Sequence, residues 1–238
     1  MKRLLFLFGL LFFSVNVFAF ETDIDFGLTA GGGFCKMKQK QLSVEIEKDY
    51  KTGLFGLYAN VDAMFTKNFG LFYEVNLDAP FNTSVTAEAK FIAYSLDSSD
   101  DDGYKSTLFL SGILGAQGCI PIGEKLNIKF GGGFDFAVLH CENKSGFGYN
   151  IINGAITYTD VEETLYLFGL GSKLKAQFFF TKNIGLNAGC AVDWYFVGAD
   201  KFKQKTLLYG TFESTEKITE NFFFFRPEVG MTFRLGSN

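Results

Sequence analysis

Two copies of one short phrase, Phe65-Thr-Lys-Asn-Phe-Gly-Leu71 and Phe180-Thr-Lys-Asn-Ile-Gly-Leu186, constrain this chain more than any other feature. Each stands between long stretches in which apolar and polar residues alternate one by one. A strand turns successive side chains to opposite faces, so a polar turn flanked by period-two alternation predicts a β-hairpin. Longer polar stretches separate one hairpin from the next. Short turns alternating with long loops predict an up-and-down antiparallel barrel, the rhythm of a transmembrane β-barrel.

The fold class is therefore all-β, with eight strands expected at residues 24–34, 54–65, 69–78, 107–120, 126–138, 164–180, 184–197 and 221–235. Each reaches the ~9–11 residues a tilted strand needs to cross a bilayer. Turns at 66–68, 122–125 and 181–183 are short, and connections at 35–53, 79–106, 139–163 and 198–220 are long. Three turns at one end and four loops at the other place both termini at the turn end.

Alternation alone fits a soluble barrel equally well, with its apolar face inward. The contents of the faces decide between them. One face carries Phe55, Leu57, Ala59, Val61, Ala63 and Phe65, then Phe130, Phe134 and Phe136, then Leu186, Val192, Trp194 and Phe196. It is almost free of charge, as hydrocarbon demands. The other offers Gly56, Tyr58, Asn60, Gly70, Asn76, Asn127, Gly131, Gly133, Gln177 and Asn187 together with charges of both signs. Small residues and amides suit a narrow polar lumen better than a water-exposed exterior.

That inner face holds six acids (Asp25, Asp62, Glu74, Asp135, Asp193, Glu228) against five bases (Lys129, Lys173, Lys175, Arg226, Arg234). Charges inside a membrane-spanning shell are costly unless paired or hydrated. Near-balance points to a charge-paired plug. The same residues could instead line a narrow ion path.

The N-terminus begins with basic Lys2 and Arg3, runs apolar over 4–13 and reaches a small-residue cleavage site at Val17-Phe18-Ala19. Residues 1–19 are thus expected to be a secretory signal peptide and 20–238 the barrel domain. The net charge of −4, or −6 once Lys2 and Arg3 leave with residues 1–19, argues against a nucleic-acid partner, and no basic stripe offsets it. The four cysteines, Cys35, Cys119, Cys141 and Cys190, lack metal-ligand spacing. An exported compartment permits disulfides, and only Cys35 and Cys141 fall at the same expected rim.

The final strand, Phe225-Arg-Pro-Glu-Val-Gly-Met-Thr-Phe233-Arg-Leu235, alternates apolar side chains at Val229, Met231, Phe233 and Leu235. In this strand and in its architecture the chain resembles the eight-stranded outer-membrane barrels related to the OmpA transmembrane domain, OmpX, OmpW and the opacity proteins. The resemblance implies a place in the outer membrane of a didermal bacterium, with membrane lipid and the barrel-assembly machinery as partners. It also implies that the last strand is the signal this machinery reads. The tail departs from the pattern, continuing through Gly236-Ser237-Asn238 where such proteins usually end on the aromatic residue.

A few outer-membrane barrels are enzymes, among them lipid A deacylases and palmitoyltransferases. Acyl transfer commonly needs a His held by a carboxylate beside a Ser. The single His140 has Glu142 and Ser145 near it, on an expected loop and without the deacylase spacing. The run Asp97-Ser-Ser-Asp100-Asp-Asp-Gly103 lacks the spacing of an EF-hand loop. No enzymatic activity, cofactor or metal is expected. The favoured function is structural or adhesin-like, with extracellular hairpins offered to host or surface ligands. The alternative is a small pore or hydrophobic-solute channel of the OmpW type.

Overall fold

The computed structural model describes residues 21–41, 44–90, 95–98, 105–150, 155–206, 210–218 and 221–236, with side chains described over part of these. The expected signal peptide at 1–19, most of the acidic run at 97–103 and the side chain of Cys141 lie outside them, so the pairing considered for Cys35 and Cys141 does too.

Ten strand segments follow in order: β1 (Glu21–Gln41), β2 (Val44–Met64), β3 (Phe69–Lys90), β4 (Ser95–Ser98), β5 (Lys105–Ile122), β6 (Leu126–Asn150), β7 (Ala155–Phe179), β8 (Ile184–Thr206), β9 (Gly210–Ile218) and β10 (Phe222–Leu235). They form eight antiparallel staves. β4 and β5 both pair with β3 and are two lengths of one stave. β9 and β10 both pair with β8 and are two lengths of another. β10 also pairs with β1, from Thr22↔Leu235 to Cys35↔Phe222, which closes the ring. No sheet edge is left where the strands cross, and backbone groups in hydrocarbon require that.

Each copy of the repeated phrase makes the same turn. Thr66 Oγ1 accepts from the N–H groups of Asn68 (3.3 Å) and Phe69 (3.0 Å), while Thr181 Oγ1 does the same for Asn183 (3.3 Å) and Ile184 (3.0 Å). The Asn then reaches beyond its own hairpin. Asn68 Nδ2 donates to the Cys119 carbonyl at 2.9 Å, and Asn183 Nδ2 donates to the Arg234 carbonyl at 2.8 Å. Thr closes the turn and Asn ties it to the next stave. The third turn needs a left-handed residue and has Gly123 at φ 65°.

Burial follows the alternation. From Phe222 to Val229 buried and exposed residues alternate without a break, as they do along most of β7. Phe26, Phe55, Leu57, Phe130, Phe168, Leu174 and Phe225 are among the large apolar side chains exposed outside, and Phe134 is 77% exposed. At Pro227, which has no N–H to give, the ladder to β1 lapses between Thr29↔Glu228 and Gly32↔Phe225, while that to β8 continues through Pro227↔Cys190.

The long connections, expected as extracellular hairpins, are largely strand. β1 and β2 stay paired out to Gln41↔Val44, and β6 and β7 out to Asn150↔Ala155. At 25 residues each, β6 and β7 are more than twice the length a bilayer requires. His140, expected in a loop, lies within β6 opposite Thr164. Beyond the membrane both faces meet water, so the apolar half of the alternation fades while the hydrogen-bond ladder does not. Lys36-Met-Lys-Gln-Lys-Gln41 shows this loss of pattern inside a continuous strand.

The outward face is tested by a charge. Phe134→Arg should destabilise the barrel in lipid vesicles by ~2–4 kcal/mol if the site lies near the bilayer midplane. Denaturant titration of the inserted protein measures it, and a change within ~0.5 kcal/mol would put that face in water.

Candidate functional site

Alternation turns one side chain in two into the ring, and eight strands leave an interior just wide enough for side chains to fill. From the turn end the described lumen holds an ionic level, an arginine level and an apolar level, and Glu163 and Asp200 are also buried toward the hairpin end.

At the turn end the contents are ionic. Asp62 is the hub: its carboxylate lies 2.8 Å from Lys129 Nζ, 3.3 Å from Lys175 Nζ and 3.7 Å from Lys173 Nζ. Lys129 also pairs with Asp23 at 2.6 Å, Lys173 with Glu74 at 3.3 Å and Lys175 with Asp25. Arg234 donates through Nε to Asp23 at 2.9 Å and meets Glu21 at 3.0 Å. Neutral groups complete the set. Asn60 Nδ2 donates to Asp25 (3.0 Å) and Asp62 (2.8 Å), and Thr232 Oγ1 donates to Asp25 at 2.6 Å. Tyr58 donates to Asn187, whose Nδ2 donates to Thr232 at 3.0 Å. Two cations also rest on aromatic faces, Lys173 at 4.1 Å from the Phe72 ring centroid and Arg234 at 3.9 Å from that of Phe179.

Farther in stands Arg226, fully buried, with Nη2 2.7 Å from Asp193 and Nη1 3.7 Å from Asp78, and donating to Ser111 Oγ. Asp135 and Glu228 face the same lumen and are buried, without an ion pair of their own among the described residues.

Beyond Arg226 the interior turns apolar. Cys35, Leu54, Phe109, Ala137, Leu139, Leu165, Leu167, Tyr195, Phe222 and Phe224 form one buried cluster inside the ring. Phe109 and Phe224 pack with centroids 4.7 Å apart, and Tyr195 meets Phe224 at 5.9 Å. A void of about 10 Å³ remains among Gly33, Cys35, Leu139, Phe222 and Phe224, about the space of one water. A wider recess of about 180 Å³ opens at the turn-end mouth, bordered by Glu21, Met64, Thr66, Lys67, Cys119 and Arg234.

Sequence reasoning missed three members of the ionic levels, Glu21, Asp23 and Asp78, and the whole apolar one. Glu21 and Asp23 precede the expected start of the first strand, and Asp78 ends the third. The first two share the parity of Asp25, and Asp78 shares that of Glu74. Carrying the alternation to the strand ends finds all three. The apolar level was signalled by runs in which both faces are apolar, Leu165-Tyr-Leu-Phe168 and Phe222-Phe-Phe-Phe225, because the outer face there meets lipid and the inner one meets the plug. Val229, Met231 and Leu235 of the final strand point outward, and Phe233 stacks on Phe26 with centroids 5.3 Å apart. His140 Nδ1 lies 2.9 Å from Thr164 Oγ1 on the neighbouring strand.

A family model described as "Domain of unknown function (DUF2715)" matches residues 9–235. No curated protein matches the sequence. Among solved structures, the outer membrane protein OprG from Pseudomonas aeruginosa is 11% identical over 91% of this chain and 96% of its own, with a TM-score of 0.52. A major outer membrane protein from Thermus thermophilus is 11% identical over 88% of this chain and 99% of its own, with a TM-score of 0.49. Ail, the attachment invasion locus protein of Yersinia pestis, is 10% identical over 90% of this chain and 98% of its own, with a TM-score of 0.39. At such identity the likeness to OprG is one of fold, and that fold is the eight-stranded outer-membrane barrel.

The ionic levels separate paired from unpaired carboxylates. Asp62→Ala, which leaves three buried lysines short of a counter-charge, should cost ~3–5 kcal/mol of stability. Asp135→Asn, replacing a buried carboxyl that makes no ion pair among the described residues, should be neutral or stabilising. Chaotrope unfolding of both variants in detergent makes the comparison, and equal losses would show that the pairing does not govern stability.

Proposed function

The chain belongs to the DUF2715 family, and on that footing we propose that it is a sealed, non-enzymatic outer-membrane barrel whose working surface is its extended hairpins. The filled cross-section carries this reading. The lumen's described cations are engaged with carboxylates around Asp62 and Arg226, and the apolar level above them offers a permeating ion nothing to replace its hydration. A sealed barrel that continues its strands far past the bilayer invests its length outside the membrane. Long hairpins ending in water suit a structural or surface-binding role, toward host components or neighbouring surfaces. The final strand carrying Val229, Met231, Phe233 and Leu235 serves assembly of the barrel into the outer membrane in this reading, after export by the N-terminal signal.

Planar-bilayer recording of protein whose folding is verified by a heat-dependent gel shift should show no discrete conductance. Regular steps whose ion preference changes on neutralising Glu74 or Lys173 would make the lumen a path and overturn the sealed reading. The hairpins are tested separately. Replacing residues 87–104 with a short turn should leave the gel shift intact and abolish binding to cell surfaces, and binding that survives removal of all four hairpins would refute the surface role.

A further inference from the structure

We infer that the turn end of the barrel is a docking rim for anionic phospholipid headgroups, built from Lys67, Lys125 and Lys182. The repeated turn phrase is otherwise accounted for by the fold. Its Thr closes the turn, its Asn ties the neighbouring stave, and its Gly sits where the backbone comes close; a Cβ on Gly70 would stand 2.4 Å from the Ala63 carbonyl oxygen and one on Gly185 2.6 Å from that of Phe178. The Lys is the exception. Lys67 and Lys182 are exposed at the tips and take no hydrogen bond or ion pair among the described residues. The third turn, unrelated in sequence, again ends in an exposed lysine, Lys125, with Glu124 as its one acidic neighbour in that turn. Every short turn thus carries a cation that the fold does not use.

What flanks these cations fixes the partner. Phe69, Ile122 and Phe180, each about half exposed, sit at or beside the three turns. An apolar belt ending in a ring of lysines matches a leaflet boundary, where side chains rest on acyl chains and ammonium groups reach phosphate. Nucleic acid or an acidic protein would complement the lysines but leave the adjoining belt in water.

This proposal rests on the membrane-barrel reading, so insertion is scored first. Each protein is reconstituted into neutral phosphatidylcholine vesicles and checked by gel shift; failure of the unaltered chain to insert would sink the barrel reading, and the rim with it. Native mass spectrometry of the detergent-solubilised protein, titrated separately with phosphatidylglycerol and phosphatidylcholine, then tests the rim alone. The unaltered protein should favour phosphatidylglycerol by roughly tenfold or more, and K67Q/K125Q/K182Q should fall to within about twofold. K51Q/K201Q/K203Q, neutralised at the hairpin end, should keep the preference. An inserted barrel without preference, a preference that survives the turn substitutions, or an equal loss in the hairpin-end variant would each overturn the rim while leaving the barrel standing.

Discussion

The pairing of β10 with β1 makes the rest of this molecule possible. A strand in hydrocarbon cannot leave its N–H and C=O groups unpaired, so the sheet must close or not span at all. Closure joins the two ends of the described chain, Thr22 to Leu235, and fixes the number of staves at eight. The tolerance of Pro227 within this ladder shows where the requirement relaxes. One missing donor is absorbed by a local lapse against β1, while the other side of β10 stays paired to β8.

An eight-stave ring sets the width of its interior, and that width sets its chemistry. Side chains from opposite walls meet, so Lys129, Lys173 and Lys175 find carboxylates across the barrel rather than a column of water. Asp62 on β2 is reached by Lys129 from β6 and by Lys173 and Lys175 from β7. Desolvation makes each of these ions expensive alone, and mutual contact offsets that cost, joined by hydrogen bonds from Asn60 to Asp62, Asn76 to Glu74 and Gln177 to Asp25. Farther along the axis the same width is filled by Leu165, Leu167, Phe109 and Phe224, which need no partners.

The two ends of the barrel are built differently. At the turn end, three short turns close tightly, and the Thr and Asn side chains of the repeated phrase serve the backbone. At the other end the strands run on past the point where alternation stops, held by ladder hydrogen bonds rather than by an apolar face. The long hairpins thus stand at one end of the barrel, and the exposed apolar belt reaches the turns at the other.

Alternation along the chain was enough to count the staves, order them and assign the inward face, because a period of two allows only two assignments and hydrocarbon forbids charge on one of them. It placed Asp25, Asp62, Glu74, Lys129 and Lys173 on one surface without saying which of them touch. It also cut the strands short, since alternation records contact with lipid and ends where lipid ends, whereas pairing continues to residues such as Gln41 and Asn150. The closed ring was needed to show that Asp62 collects three lysines, that Arg226 sits between Asp78 and Asp193, and that an apolar plug caps the charges. Apart from Arg226–Asp193, which joins neighbouring staves, those contacts cross from one wall of the ring to another, between residues far apart in the chain. Their partners are chosen by the stagger of the closed ring, which no local pattern encodes.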